Sequence, residues 1–124
     1  MEALFVKGSV RYVFNGITIV VLGRAINQHA QCINHLAESM GLSIRAFTVF
    51  GHVRCAFNKS NVVILSRAIN QHARCINLLA RSKGLSIEAY TVVGSASRFL
   101  TGPNLVVLGQ VLNQQAKCIN QLSK

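Results

Sequence analysis

The chain contains no aspartate and no tryptophan, a single proline, and only three acidic residues, Glu2, Glu38 and Glu88. Each shortage closes a class of function. Three scattered glutamates cannot assemble the carboxylate pair of a glycosidase or the oxygen shell of a usual magnesium site. A phosphate-binding glycine loop, a dinucleotide glycine pattern and a serine elbow are missing as well. The sequence therefore predicts a protein that is not an enzyme, uses no cofactor and takes no small-molecule substrate. Low-complexity linkers and runs of like charge are absent, which argues against a disordered tail. No apolar run approaches the length of a bilayer span, and no basic segment with a cleavable apolar stretch opens the chain, so neither membrane insertion nor secretion is expected.

Positive charge is what the chain has in excess. Thirteen Lys and Arg give a formal net charge of +10 over 124 residues, with a pI near 10.4. Such a balance favours a polyanionic partner, either nucleic acid or an anionic surface. With 51% hydrophobic residues, the chain is long enough to bury a core as one domain, residues 1–124. The four cysteines do not read as a secreted disulfide framework, because Cys32, Cys75 and Cys118 are copies of one position and Cys55 stands alone. Reduced thiols in an intracellular compartment, cytoplasmic or nucleoid or nuclear, are the expectation.

Those copies belong to a repeat. "GRAINQHAQCINHLA" returns as "SRAINQHARCINLLA" and "GQVLNQQAKCINQL", with Asn27, Asn70 and Asn113 a constant 43 residues apart. The same spacing aligns "EALFVKGSVRYVF", "RAFTVFGHVRCAF" and "EAYTVVGSASRFL" without a gap. The internal repeats are 1–43, 44–86 and 87–124. The third lacks the stretch that follows the helix in the other two, and "MEALFVK" supplies it from the N-terminus. The expected form is a pseudo-threefold ring whose N-terminal strand completes the third repeat.

Within each repeat the pattern predicts strand, strand, helix. Gly8, Gly51 and Gly94 mark breaks in the first strand, and Asn15-Gly16 is a strong hairpin signal. "ITIVVL", "VVIL" and "LVVL" are β-branched runs that read as strands buried on both faces. Helices are expected to start near Gly23, Ser66 and Gly109, and to end at the Gly41 and Gly84 caps. Ile26, His29, Ala30, Ile33, Leu36, Ala37 and Met40 form an apolar stripe facing the sheet, with Cys32 at its edge. Arg24, Asn27, Gln31, Asn34 and Glu38 share the opposite face. The fold class expected is α/β, a mixed sheet covered by helices on one side. Phe5, Phe14, Phe47 and Phe57 are assigned to its core.

His29 and His72 interrupt the apolar stripe, each three residues before a cysteine, and Gln115 replaces them in the third repeat. A zinc site would need three or four such ligands converging and an orienting carboxylate, which the sequence does not offer. Core histidines beside buried thiols are the reading adopted, with no metal.

The candidate binding residues are basic or amide side chains. Arg24 and Arg67 fall at the expected helix starts, where a cation opposes the helix dipole unless an anion such as phosphate joins it. Asn27 and Asn70, on the outer face, offer amides to phosphates, sugars or bases. Arg74, Arg81, Lys83 and Lys117 extend the positive surface along the second and third helices. With the phenylalanines placed in the core, backbone and shape recognition is favoured over a base-stacking platform.

"ITIVVLGRAINQHAQCINHLAESMGLSI" resembles the central strand, Gly-Arg-Ala-Ile turn, helix and following strand of the Alba superfamily of chromatin and RNA-binding proteins. The likeness rests on residues 17–22, on Gly23, Arg24, Ala25 and Ile26, and on the helix after them. It implies a small basic binder of DNA or RNA, dimeric and built on a mixed sheet. The function expected is a non-catalytic nucleic-acid-binding module, RNA ahead of DNA, with nucleic acid as its partner and a homo-oligomer left open. The alternative is a structural or assembly scaffold with pseudo-threefold symmetry.

Overall fold

The computed structural model describes residues 2–6, 16–49, 59–92 and 102–124. They form three long helices, α1 (Gly16–Ser39), α2 (Lys59–Ser82) and α3 (Gly102–Leu122), each packed against the other two. No strand occurs among the described residues. The expected α/β fold and the mixed sheet implied by the Alba resemblance are therefore corrected: the described residues form helices, with extended peptides laid against them and no sheet among them.

The runs read as central strands are the first turns of the helices. β-Branched side chains lower helix propensity only slightly, and tertiary packing overrides so weak a preference. The deciding feature is which members are buried. Leu22 and Ile26, Leu65 and Ile69, and Leu108 and Leu112 are all fully buried at i, i+4 spacing, whereas Val21 and Ile64 are half-buried and Val107 is exposed. A strand buried on both faces would hide them all; a helix hides one stripe. Gly23 and Gly109 do not start helices but lie inside them. The true starts Gly16, Lys59 and Gly102 keep the 43-residue register. The hairpin expected at Asn15-Gly16 is corrected to that extent, since Gly16 opens α1, while Asn15 lies outside the described residues. So do Gly8, Gly51 and Gly94.

Two layers of core fill the bundle. One joins the N-terminal halves through Leu22, Ile26, Leu65, Ile69, Leu108 and Leu112, and the other joins the C-terminal halves through Ile33, Ile76 and Ile119 with alanines and the three thiols. At the ends of α1 and α2, Gly41 and Gly84 take φ of 70° and 71°. Leu42 N–H donates to the Ala37 carbonyl at 2.9 Å and Gly41 N–H to that of Glu38 at 3.1 Å, and Leu85 and Gly84 repeat the pattern. These are the paired bonds of a Schellman cap, which turns the chain back along the bundle.

Between α1 and α2 runs residues 42–49, between α2 and α3 runs 85–92, and between α3 and α1 runs the N-terminal stretch 2–6. The sequence predicts a closing strand there; 2–6 is instead an extended peptide, held as its two counterparts are. Its buried residues are Ala3 and Val6, matched by Ala46 and Val49 and by Ala89 and Val92. Burial at every third residue explains why these peptides are not strands, whose faces alternate every second residue. Phe5 and Phe47, assigned to the core, are 42% and 60% exposed. Phe14 and Phe57 lie outside the described residues.

Candidate nucleic-acid interface

The amides that recur in every helix hold the extended peptides. A side-chain amide presents one acceptor and two donors, so it can bracket a backbone residue much as a neighbouring strand would. Asn34 Oδ1 accepts from Ala46 N–H at 2.6 Å, and Asn27 accepts from Val49 N–H and donates to Val49 C=O, both at 2.6 Å. From the opposite wall, Gln71 Oε1 accepts from Phe47 N–H at 2.9 Å while its Nε2 donates to Arg45 C=O at 2.8 Å.

The same clamp recurs twice. Asn77, Asn70 and Gln114 hold Ala89, Val92 and Tyr90, with N–H to amide oxygen distances of 2.7, 2.7 and 2.8 Å. Asn120, Asn113 and Gln28 hold Ala3, Val6 and Leu4 at 2.7, 2.7 and 2.9 Å. Backbone groups of a buried extended peptide must find partners, and here side chains stand in for a sheet.

This corrects the placement of Asn27 and Asn70. They are half-buried and bonded to Val49 and Val92, so their amides are not displayed to a ligand. Asn34 is likewise drawn off the outer face.

The odd polar members of the stripe complete each clamp. His29 Nε2 donates to Leu4 C=O at 2.7 Å, His72 Nε2 to Phe47 C=O at 2.6 Å, and Gln115 Nε2 to Tyr90 C=O at 2.8 Å. A carbonyl partner requires the proton on Nε2, leaving Nδ1 as a bare acceptor. Burial pushes the His29 pKa below its ordinary value and that of His72 down to about 4, so both rings are neutral near pH 7. His29 Nδ1, His72 Nδ1 and Gln115 Oε1 are buried and unbonded. The recurring cysteines have a partner too, since Gln28, Gln71 and Gln114 donate to Cys32, Cys75 and Cys118 Sγ at 3.3, 3.4 and 3.3 Å. All three thiols are free and buried, and burial raises their pKa. Among the described residues, no group of three or more His, Cys, Asp or Glu is placed to hold a metal ion. Nor is any helix long and apolar enough to cross a membrane.

Arg24 and Arg67 are exposed but lie about two turns inside α1 and α2, not at helix starts. The helix dipole acts within the first turn, so neither arginine stands at the free N–H groups of a helix start where an anion would be cradled. Lys83 Nζ donates to the Leu122 carbonyl at 2.6 Å, a cation neutralising the last turn of α3. Arg74, Arg81 and Lys117 are exposed.

Of the basic residues singled out, the structure brings three into line. Arg67, Arg74 and Arg81 recur every seven residues along the outer face of α2, all exposed. Seven residues is close to two turns, so the row stays on one face, its members about 10 Å apart. The equivalent row on α1 is Arg24, Gln31 and Glu38, and near α3 it is Gln110, Lys117 and Lys124.

Sequence reasoning missed the exposed ring positions. Leu4, Phe47 and Tyr90 are equivalent, and are 57%, 60% and 60% exposed, pointing away from the bundle while their backbones are clamped. The signal that locates them is the Ala-x-x-Val spacing, which leaves the residue after the alanine outside. A scan against protein-family models finds no match, and searches of curated proteins and of solved structures return no similar protein.

Proposed function

We propose that the chain is a non-catalytic nucleic-acid-binding module that grips the phosphate backbone with the outer face of α2. The observation that carries this reading is the row Arg67, Arg74 and Arg81. Its guanidinium groups face solvent in a chain of net charge +10. Arginine pairs with phosphate in a bidentate manner, and displaced counterions make such binding strongly salt-dependent. Because the asparagines are committed to the clamps, the contacts are those of charge with backbone rather than amide with base.

The test is a titration of a labelled RNA and a labelled duplex DNA at two salt concentrations, with the unaltered chain and an Arg67→Gln/Arg74→Gln/Arg81→Gln variant. The variant should bind less tightly, and its log–log salt slope should flatten by about 0.7–0.9 per lost phosphate contact. An unchanged slope would remove α2 from the interface. Salt-insensitive self-association through the exposed Leu4, Phe47 and Tyr90, without nucleic-acid binding, would establish the scaffold reading instead.

A further inference from the structure

The pseudo-threefold bundle presents one geometry three times with three different chemistries. At each position a glutamine on one helix pins the backbone of an outward-pointing residue. The residues one turn either side of that glutamine flank the spot on the same helix face. Between α1 and α2 the pinned residue is Phe47, held by Gln71, with Arg67 and Arg74 at i−4 and i+3 from the glutamine and Arg45 two residues before the ring. Between α2 and α3 it is Tyr90, held by Gln114, flanked by Gln110 and Lys117, with Glu88 in the place of Arg45. Between α3 and α1 it is Leu4, held by Gln28, flanked by Arg24 and Gln31, with Glu2 in that place and Phe5 beyond.

Only one of the three therefore places three arginines, and no carboxylate, at the two flanking helix positions and two residues before an exposed aromatic ring; Glu38 of α1 shares a shallow depression with Arg45 on the side toward α1, away from Arg67 and Arg74 on α2. The backbone beneath Phe47 is held at both N–H and C=O, by Gln71 at 2.9 Å and His72 at 2.6 Å. A ring so mounted has little to lose in ordering when a flat partner settles on it, which is the requirement for an efficient stacking platform.

Resting on the nucleic-acid reading above, we infer that the α1–α2 position is a binding site for single-stranded nucleic acid, in which an unpaired base stacks on Phe47 while Arg45, Arg67 and Arg74 take the flanking phosphates. A duplex cannot use this site fully, because its bases are already stacked and its phosphates alone face the protein. The Tyr90 and Leu4 positions serve as controls built into the same molecule.

The experiment measures anisotropy of a fluorescein-labelled twelve-nucleotide oligouridylate and of a twelve-base-pair duplex, using full-length protein. Variants are Phe47→Ala, Phe47→Trp and Tyr90→Ala, each checked for an unchanged thermal melt, which the exposure of both rings allows. Phe47→Ala should weaken single-strand binding about five- to a hundredfold and leave duplex binding alone, Phe47→Trp should restore or exceed the original affinity, and Tyr90→Ala should change it less than about threefold. Equal losses at Phe47 and Tyr90, or a Phe47→Ala affinity equal to that of the parent, would overturn this site while leaving the α2 backbone reading intact. Failure of the parent protein to bind either probe at low salt would overturn both.

Discussion

The side-chain amide of Asn27 brackets the backbone of Val49 at both of its polar groups, accepting from the N–H and donating to the C=O at 2.6 Å each. Replacing Asn27 with alanine leaves both groups without a partner in a half-buried groove, at a cost of about 2–3 kcal/mol. Asn27→Asp should be worse at neutral pH, because it keeps the acceptor for Val49 N–H but sets a second carboxylate oxygen against the carbonyl. Urea unfolding of the two variants checks the order. Equal, negligible losses would show that the clamp contributes nothing to stability.

Acid should loosen the bundle through its buried imidazoles. Burial holds His72 at about 4 in the folded chain, against 6.5 for the ordinary side chain. The unfolded chain thus binds more protons between these values, and stability is fully present above about pH 6.5 and declines as pH falls toward 4. For His72 alone the loss is on the order of 3 kcal/mol. His29 shifts in the same direction for the same reason. His72→Gln, which copies Gln115 of the third repeat, should flatten the dependence of melting temperature on pH across that window.

Thiol accessibility separates the native packing from its loss. Cys32, Cys75 and Cys118 lie in the C-terminal core layer, and burial raises each pKa, so two obstacles to attack coincide. Native protein treated with a thiol reagent and mapped by peptide mass should show these three sites modified only as fast as the bundle opens. Modification within the mixing time would contradict the packing.

Gly84 carries a φ of 71° with open space where a Cβ would lie, so Gly84→Ala suffers backbone strain and no clash. The cost should be about 1–2 kcal/mol, less for asparagine, read as a drop in the urea midpoint. Gly41→Ala should behave alike.

Arg24→Gln and Arg67→Gln should leave thermal stability unchanged within about 0.5 kcal/mol, because both lie beyond the reach of the helix dipole and on the solvent side. A stabilisation on removing either charge would indicate crowding of positive charge on the helix faces.

Much of this protein is legible in its sequence, and the reasons are local. The 43-residue register, the glycine caps at Gly41 and Gly84, and the i, i+3, i+4 stripe from Ile26 onward follow from spacing along the chain, which the backbone geometry of a helix reads directly. The burial of the thiols, too, follows from their place at the edge of that stripe: Cys32 and its copies lie beside Ala30 and Ile33 and their equivalents and are buried with them.

What the sequence could not decide was whether β-branched runs such as 17–22 extend the helix or form a separate strand. That depends on whether Leu22 finds Leu65 and Leu108 across a bundle axis, contacts between residues 43 and 86 apart that no local preference encodes. The role of the asparagines was hidden for the same reason. An amide on an exposed-looking helix face is a ligand, a surface group or a clamp according to what lies opposite, and only the tertiary fold lays Val49 against Asn27 and Phe47 against Gln71. Once those peptides are held by side chains instead of a sheet, burial recurs at every third residue and turns Phe47 outward. The sequence by itself set the repeat, the charge and the helical stripe. The outward turn of Phe47 was decided by packing, because it is the clamp on its backbone that orients the ring.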